Sequence, residues 1–353
     1  MDKRWTLLGD SLVDYSLKVK PGEKLMIAMY EVETYPLALA VYRACIRAGG
    51  FPQIQFMSEE LKHQVLKYGS DEQIGWIPEI EKYGMEWCDC YIALRGAFNM
   101  SECYDIPSHK VAAYQKAMGV ISGMRWEKTR WALVRVPNER FAQQARVSYE
   151  KIMDMFFDSC LCIDWEKELK EYRRIAAELG KGNVIHVVGR GTDLTLEIGG
   201  NEWLPSNGEC NIPDGEIATT PKWKTVRGHI TFEFPATIGG RVINNLSIEF
   251  KDGLATNVSA DNDVEYVNQI LDSDDCSRRV GEFAFGMNPY IDVCTTDILI
   301  DEKIGGTIHI AMGRPYDGSY YSAIHWDIIK DTRTESKIYL DDVLIFENGK
   351  FLI

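Results

Sequence analysis

The sequence lacks the features that would assign it to several large classes of protein. No apolar run is long enough for a membrane helix, and the best stretch, residues 35–46, is short and contains Arg43. The first residues have no apolar segment of the kind found in signal peptides. Only 39 Lys and Arg stand against 53 Asp and Glu, and the resulting net charge of -14 repels phosphates and anionic lipid. We therefore expect a cytoplasmic protein that binds neither nucleic acid nor membranes.

Several catalytic and binding motifs are also missing. There is no Gly-x-Ser-x-Gly turn of the serine hydrolases. The string at residues 189–192 lacks the third glycine and the Lys-Ser/Thr of a phosphate-binding loop. The nine cysteines include the CxC pairs Cys88/Cys90 and Cys160/Cys162 but no CxxC spacing, which favours reduced core thiols over a zinc or redox site.

What the sequence does contain is an ordinary globular composition, 45% hydrophobic and 26% charged, with alternating strand and helix patterns in its first half. Lys24 to Tyr30 is a short apolar run typical of a strand, and the helical spacing of residues 35–48 ends at Gly49-Gly50. The same reasoning predicts strands over 52–57, 88–94 and 131–136, and helices over 58–68, 71–83, 110–118, 139–157 and 165–179. This order predicts an α/β domain with a mainly parallel sheet.

The pattern changes after Gly180-Lys181-Gly182, where we place a boundary between domains 1–180 and 181–353. Strands are predicted over 183–188, 194–198, 229–234, 246–250, 281–285, 307–312 and 337–346, with a single helix over 263–271. The turns at 251–253 and 347–349 favour hairpins. The second domain is therefore expected to be β-rich, of α+β type and mostly antiparallel.

Three strand segments of the second half carry ionisable side chains in an unusual setting. Because side chains alternate between the faces of a strand, each segment has one bulky apolar face and one face with ionisable and small residues. The ionisable residues are Glu282, His309, and the pair His325 and Asp327. A solvated face would carry Lys, Thr, Gln or Arg instead. Imidazoles and carboxylates that line a cavity are ligands for zinc, cobalt, manganese or iron.

A second interpretation of these segments stays open. His309 and His325 would be core histidines with satisfied hydrogen bonds, and the acidic residues would lie at the surface. This interpretation must apply to all three segments independently. A single metal site explains the pattern of all three segments at once, so it is favoured over three separate coincidences.

Several further motifs follow one another along the second half of the chain. They are Gly191-Thr192-Asp193-Leu194, Asn211-Ile212-Pro213-Asp214-Gly215-Glu216-Ile217, Gly281-Glu282-Phe283-Ala284-Phe285-Gly286, Asp301-Glu302-Lys303-Ile304-Gly305-Gly306-Thr307-Ile308-His309, Gly313-Arg314-Pro315-Tyr316, His325-Trp326-Asp327 and Ile338-Tyr339-Leu340-Asp341-Asp342. In this order they resemble the motifs of the thermophilic metallo-aminopeptidases, the aminopeptidase T family. The resemblance covers nearly the whole chain and is sharpest between residues 190 and 345.

The resemblance implies two neighbouring divalent metal ions in the β-rich domain, either zinc, cobalt, manganese or magnesium. It places metal ligands at Glu216, Glu282, Glu302, His309, His325 and Asp327. It also implies a homodimer that cleaves the first peptide bond of peptides with a free N-terminus, by attack of a hydroxide that bridges the metals. Tyr316 matches the active-site tyrosine, expected to stabilise the oxyanion, and Glu216 or Glu282 is expected to transfer the proton.

The motifs depart from the family at two places. Gly215 replaces the usual carboxylate before Glu216, and Arg314-Pro315 precedes Tyr316. These differences bear on substrate preference, which the sequence leaves undefined.

An alternative function on the same fold is a mononuclear non-haem iron dioxygenase that cleaves aromatic rings. Such a site needs two histidines and one carboxylate, which His309, His325 and Asp327 supply. A mononuclear site does not need Glu216 and Glu282, so their presence favours the hydrolase.

Overall fold

The computed structural model describes residues 2–96, 99 and 101–353. Contacts group the chain into two compact units. The first unit contains the described residues up to Cys162 together with Gly208–Pro213, and the second contains Ile163–Asn207 and Asp214–Ile353. The domain boundary at residue 180 stays a sequence-based prediction.

A parallel sheet forms the centre of the first unit. Its strands are β1 (Lys24–Tyr30), β2 (Phe51–Met57), β3 (Cys90–Gly96), β4 (Arg130–Val136) and, from later in the chain, β8 (Asn211–Ile212). They lie in the order β2-β1-β3-β4-β8. The helices are α1 (Lys3–Ser11), α2 (Tyr35–Arg47), α3 (Glu59–Tyr68), α4 (Asp71–Ile74), α5 (Glu79–Trp87), α6 (Ser108–Lys128), α7 (Glu139–Gln144) and α8 (Tyr149–Leu161). The predicted α/β architecture is confirmed.

The second unit is mostly antiparallel β-structure. Its strands are β5 (Val184–Gly189), β6 (Thr192–Glu197), β7 (Leu204–Ser206), β9 (Glu216–Thr219), β10 (Arg227–Thr231), β11 (Ala236–Ile238), β12 (Arg241–Ile243), β13 (Ser247–Lys251), β14 (Leu254–Ser259), β15 (Val280–Gly286), β16 (Ile308–Gly313), β17 (His325–Lys330), β18 (Lys337–Leu340), β19 (Val343–Glu347) and β20 (Lys350–Phe351). Its helices are α9 (Trp165–Leu179), α10 (Val264–Leu271) and α11 (Ile298–Asp301). One sheet has the order β14-β13-β10-β6-β5-β18-β19-β20, a second has the order β17-β16-β15-β9-β7, and β11 pairs with β12. The predicted β-rich second half is confirmed.

The apolar faces predicted for β15, β16 and β17 lie in one continuous core with the eight-stranded sheet. Phe285 of β15, for example, contacts Phe346 and Phe351, with ring centroids 5.5 and 4.8 Å apart. Burial of each such side chain contributes about 1.5–3 kcal/mol to folding. This burial fixes which face of the three strands is left for the ionisable residues.

Two predicted helices are each split in the structure. The helix predicted over 71–83 is in fact α4 and α5, because Pro78 precedes α5 and has no N–H to continue a helix. The helix predicted over 139–157 is α7 and α8. Arg146 between them has a φ of 57°, and the Ser148 side chain caps the start of α8.

The strand predicted over 337–346 is in fact the hairpin β18–β19. Its turn residues Asp341 and Asp342 have φ values of 48° and 68°, a conformation that interrupts a strand. Several elements were not predicted, among them the nine-residue helix α1 and the much shorter α11, β9 and β8. Elements of two to four residues carry too little periodicity to be recognised.

All nine cysteines are free. Cys88, Cys90 and Cys160 are buried, whereas Cys162 is exposed at the end of α8, so the prediction of core thiols is wrong for that residue. None of the helices in the described ranges has the length and apolar character needed to cross a membrane.

Candidate metal centre

Five of the six candidate ligands lie on one face of the sheet β17-β16-β15-β9-β7. Side chains directly opposite one another in an antiparallel pair lie on the same face. Glu216 is opposite Gly286, and His309 is opposite Ala284. Ala311 lies between Glu282 on one neighbouring strand and Asp327 on the other. The small residues leave room for the ionisable side chains beside them.

The structure brings all six predicted ligand residues together in two groups of three. Glu216, Glu302 and His309 form the first group, and Glu282, His325 and Asp327 form the second. Within each group, one potential ligand atom from each residue lies within 4.8 Å of the others. Glu302 reaches the first group from the end of α11.

Glu282, a member of the second group, also contacts the first group. Its Oε1 atom is 3.3 Å from Nε2 of His309, and its Oε2 atom is 3.2 Å from Nε2 of His325. Nε2 of His309 is also 3.6 Å from Oε2 of Glu216, and Nε2 of His325 is 3.4 Å from Oδ1 of Asp327. The carboxylate of Glu282 therefore faces one histidine from each group.

Burial makes the charges of this cluster interact strongly. Glu216, Glu282 and His309 are at most 2% exposed. Burial alone would raise the pKa of Glu282, but hydrogen bonds with His309 and His325 lower it. Burial would lower the pKa of both histidines, yet their carboxylate neighbours raise it, to about 9 for His309 and about 11 for His325. Burial raises the pKa of Glu302, and the charge of Glu216 raises it further.

Lys303 is a buried cation that our sequence reasoning missed. Its Nζ atom lies 2.7 Å from Oε1 of Glu216, 2.7 Å from Oε1 of Glu302 and 3.7 Å from Oδ1 of Asp214. Burial opposes its charge, but Glu216 and Glu302 raise its pKa well above the usual value. A lysine is not a metal ligand, so a search for ligand types passes over it. The one feature of the sequence that could have pointed to Lys303 is its position directly after the candidate ligand Glu302.

The residues present fit a pair of divalent cations. Oε2 of Glu216 and Oδ1 of Asp327 are buried and make no hydrogen bond within the described chain. Nδ1 of His325 lies 2.7 Å from the carbonyl oxygen of Arg314, and because a carbonyl only accepts, Nδ1 must carry the proton. Nε2 then faces Glu282 and Asp327 and is the nitrogen that a metal would bind after loss of its proton, with Nδ1–H held by a backbone carbonyl as in many histidines that bind metals. Four carboxylates with two imidazoles are donors that zinc, cobalt, manganese or magnesium accept.

Tyr316 lies beside the second group. Its ring meets that of His325 edge-on, with 5.7 Å between centroids, and the residue is 54% exposed. The negative charges of Glu282 and Glu216 raise the pKa of its hydroxyl, which therefore stays protonated and can donate a hydrogen bond. Gly215, where the family has a carboxylate, has a φ of 116° that favours glycine. Here Asp214 is the neighbouring acid, and it faces Lys303.

Comparisons with known proteins point to one family. The sequence model described as thermophilic metalloprotease (M29) matches residues 2–351. Aminopeptidase 2 of Geobacillus stearothermophilus is 23% identical over 357 residues, which cover 89% of this chain and 85% of that protein. The structure of wild-type AmpT from Thermus thermophilus superposes with a TM-score of 0.87 at 20% identity, covering 99% of both chains.

A dioxygenase shares the architecture at a lower level of similarity. The structure of 2,5-dihydroxypyridine dioxygenase from Pseudomonas putida KT2440 gives a TM-score of 0.62 at 12% identity, covering 99% of this chain and 96% of that one. At such identity the likeness shows the fold alone, so the dioxygenase alternative is not favoured.

The family match decides the enzyme class. The predicted resemblance to the aminopeptidase T family and the predicted class, a metallo-aminopeptidase, are confirmed. With a family match over residues 2–351, the chain belongs to the thermophilic metalloprotease (M29) family.

Proposed function

We propose that the protein hydrolyses the N-terminal peptide bond of peptides at a dinuclear metal site. The observation that carries this proposal is the position of Glu282, whose two oxygens face His309 of one ligand group and His325 of the other. A carboxylate in that position is suited to bridge two cations. A mononuclear site would not need a second group of three potential ligands.

The two groups supply the ligands of the two cations. Glu216, Glu302 and His309 would hold one cation, Glu282, His325 and Asp327 would hold the other, and Glu282 would bridge them. The bound pair would supply a bridging hydroxide at neutral pH and polarise the carbonyl of the scissile peptide bond.

The surrounding side chains bind and orient the substrate. Carboxylates outnumber cationic side chains here, with Lys303 the buried ammonium group of the cluster. The free α-amine of a peptide would bind one of the cations or a nearby carboxylate, which would explain why an N-terminus is required. Tyr316 would donate its hydroxyl proton in a hydrogen bond to the carbonyl oxygen as negative charge develops there. Glu216 or Glu282 would carry a proton to the leaving amine.

The assembly and location of the protein also remain proposals. The resemblance to the family implies a homodimer, and the sequence favours the cytoplasm. Sedimentation analysis should then give twice the chain mass of 40.2 kDa. A single species with the mass of one chain would contradict the dimer without affecting the proposed chemistry.

The test of the reaction combines substitution with metal analysis. Glu282→Gln and His325→Ala should each abolish release of nitroaniline from aminoacyl-nitroanilides, because each removes a group at the junction of the two ligand sets. Matched controls are Glu249→Gln and His229→Ala, which change exposed residues on strands of the other sheet and should leave activity unchanged.

The intact protein should bind two equivalents of divalent metal per chain, and a chelator should abolish its activity. An N-acetylated substrate should not be cleaved. Full activity of Glu282→Gln, or equal cleavage of free and acetylated substrates, would contradict the proposal.

A further inference from the structure

The strand order of the first unit creates a place where ligands bind in other open parallel sheets. From β1 the chain proceeds to β2 on one side, and β3 then lies on the other side of β1. Such a reversal leaves a crevice outside the carboxyl ends of the two central strands. Tyr30 and Arg95 are paired at the carboxyl ends of β1 and β3, so they mark this position.

A cavity of about 480 Å³ lies at this edge, and we call it the switch-point cavity. It is lined by Tyr30 and Arg95, by the end of β2, and by residues of α3, α5 and α6. Its walls include Met57, Met85 and Tyr114. The volume falls within the range of about 300–1,000 Å³ that is usual for small-molecule sites.

Two arginines in the lining have no acidic partner among the residues that the structure describes. Within the described residues, neither Arg95 nor Arg125 forms an ion pair with a carboxylate, although the chain has an excess of 14 acidic residues. The lysine in the lining, Lys62, is already paired with Glu59 at 2.9 Å. The remaining acid, Glu81, accepts a hydrogen bond from a glutamine side chain, and burial raises its pKa.

Arg125 is held in place by contacts that leave its charge unneutralised. Its guanidinium lies 4.9 Å from the ring centroids of both Trp126 and Trp131, and Nη1 donates to the hydroxyl of Ser122 at 3.1 Å. Its Nε group is buried without a hydrogen-bond partner in the described chain. Burial and the charge of Arg95 lower the pKa of Arg125, as expected for two neighbouring cations without a counter-ion.

We propose that the switch-point cavity binds a small organic anion, with its carboxylate or phosphate group held by Arg95 and Arg125 and its apolar body among the tyrosine and methionine side chains. Guanidinium groups bind both kinds of anion through paired hydrogen bonds. The proposed site belongs wholly to the first unit and uses none of the candidate metal ligands.

Calorimetric titration of the full-length protein tests the proposal with three probes of similar size: 3-phenylpropionate, phenyl phosphate and the neutral 3-phenylpropanol. At least one anionic probe should bind about tenfold more tightly than the alcohol, and the stronger of the two identifies the preferred anionic group. Equal binding of all three probes, or binding of none at millimolar concentration, would overturn the proposal.

Two glycines of α6 offer a matched pair of substitutions. Gly119 lines the cavity and Gly123 does not, and a Cβ atom added to either meets no atom of the described residues within 4 Å. Both replacements by leucine should favour the helix by about 1 kcal/mol. Gly119→Leu should weaken binding of the anionic probe at least about tenfold, whereas Gly123→Leu should leave it unchanged. Identical binding by both variants would place the probe elsewhere.

The charge requirement is tested at Arg95, which is exposed enough to be replaced without disturbing the fold. Arg95→Gln should weaken binding of the anion about tenfold and leave binding of the alcohol unchanged. Arg47→Gln, which removes an exposed arginine of α2 outside the cavity, is the control. Thermal unfolding of each variant verifies the fold. Anion binding by Arg95→Gln that equals that of Arg47→Gln would contradict the assigned role.

Discussion

Lys303 has none of its side chain exposed, yet it keeps its charge because three acidic residues surround its ammonium group. A buried ion pair is weak support for stability as a whole, but removal of one partner leaves the others buried and uncompensated. Lys303 therefore positions the carboxylates of Glu216 and Glu302 rather than binding a metal itself.

We predict that Lys303→Met destabilises the chelated protein by about 3–5 kcal/mol, because Glu216 and Glu302 lose their buried cation. The control is Lys337→Met, which removes an exposed lysine 3.3 Å from Glu347 and should change stability by less than about 1 kcal/mol. Urea unfolding in the presence of a chelator measures both. Equal losses in the two variants would show that the Lys303 contacts contribute nothing.

At the scale of residues, the sequence predicted which side chains share a face where the strand has a clear alternation of apolar and ionisable residues. The two-residue period of β15, β16 and β17 placed Glu282, His309, His325 and Asp327 on one face. Glu216 begins a strand of four residues and Glu302 follows a helix of four, so only the family resemblance pointed to them. Which of these residues bind metal, and in what role, remains a prediction.

At the level of elements, close approach of the backbone holds the ligand strands in register. Gly313, the last residue of β16, is paired with His325 on β17. It has a φ of 95°, and a Cβ atom there would lie 2.5 Å from the carbonyl oxygen of Ile324. Only glycine satisfies both conditions without a shift of the strand that carries His325 and Asp327.

We therefore predict that Gly313→Ala costs more than about 2 kcal/mol of unfolding free energy and weakens metal binding. Gly318→Ala is the matched control, since its φ is 66° but an added Cβ meets no atom within 4 Å in the described part of the chain. It should cost about 1 kcal/mol from backbone strain alone. Chemical unfolding and metal titration of the two variants test this, and similar values for both would rule out the proposed clash.

Element boundaries were predictable only where the breaking residue is recognisable. Periodicity gave β1 and α9 with the observed ends. The breaks at Arg146 and at Asp341-Asp342 depend on positive φ values of residues that also occur inside helices and strands, so composition did not reveal them.

At the scale of the whole molecule, the chain returns to the first unit after entering the second. Residues 208–213 lie within the second half of the sequence, yet β8 adds to the parallel sheet beside β4. A two-residue strand gives no periodic signal, and its pairing depends on contacts across about 80 positions of sequence. Sequence patterns could predict the α/β and the β-rich architecture, but not the return of residues 208–213 to the first unit.

The histidines of the candidate metal centre couple metal binding to protons, which gives the last prediction. In the chelated protein the pKa of His309 is raised to about 9 and that of His325 to about 11, by neighbouring carboxylates that outweigh burial. The folded state then holds protons that the unfolded chain releases near pH 6.5. Their contribution to stability is fully present below about pH 6.5 and is lost as the pH rises toward these raised values.

A cation bound at Nε2 of both histidines must displace those protons, so its affinity should increase as the pH rises from about 6 to 8. Thermal unfolding is measured with manganese and with chelator, and the difference between the two midpoint temperatures should increase with pH. It increases because the chelated form loses stability as the pH rises, and because the metal then competes with a lower concentration of protons. His229→Ala, which removes an exposed histidine, should retain this dependence, and His325→Ala should reduce it. A stabilisation by metal that stays constant across this range would mean that neither imidazole binds the cation, and the proposed ligand set would have to be abandoned.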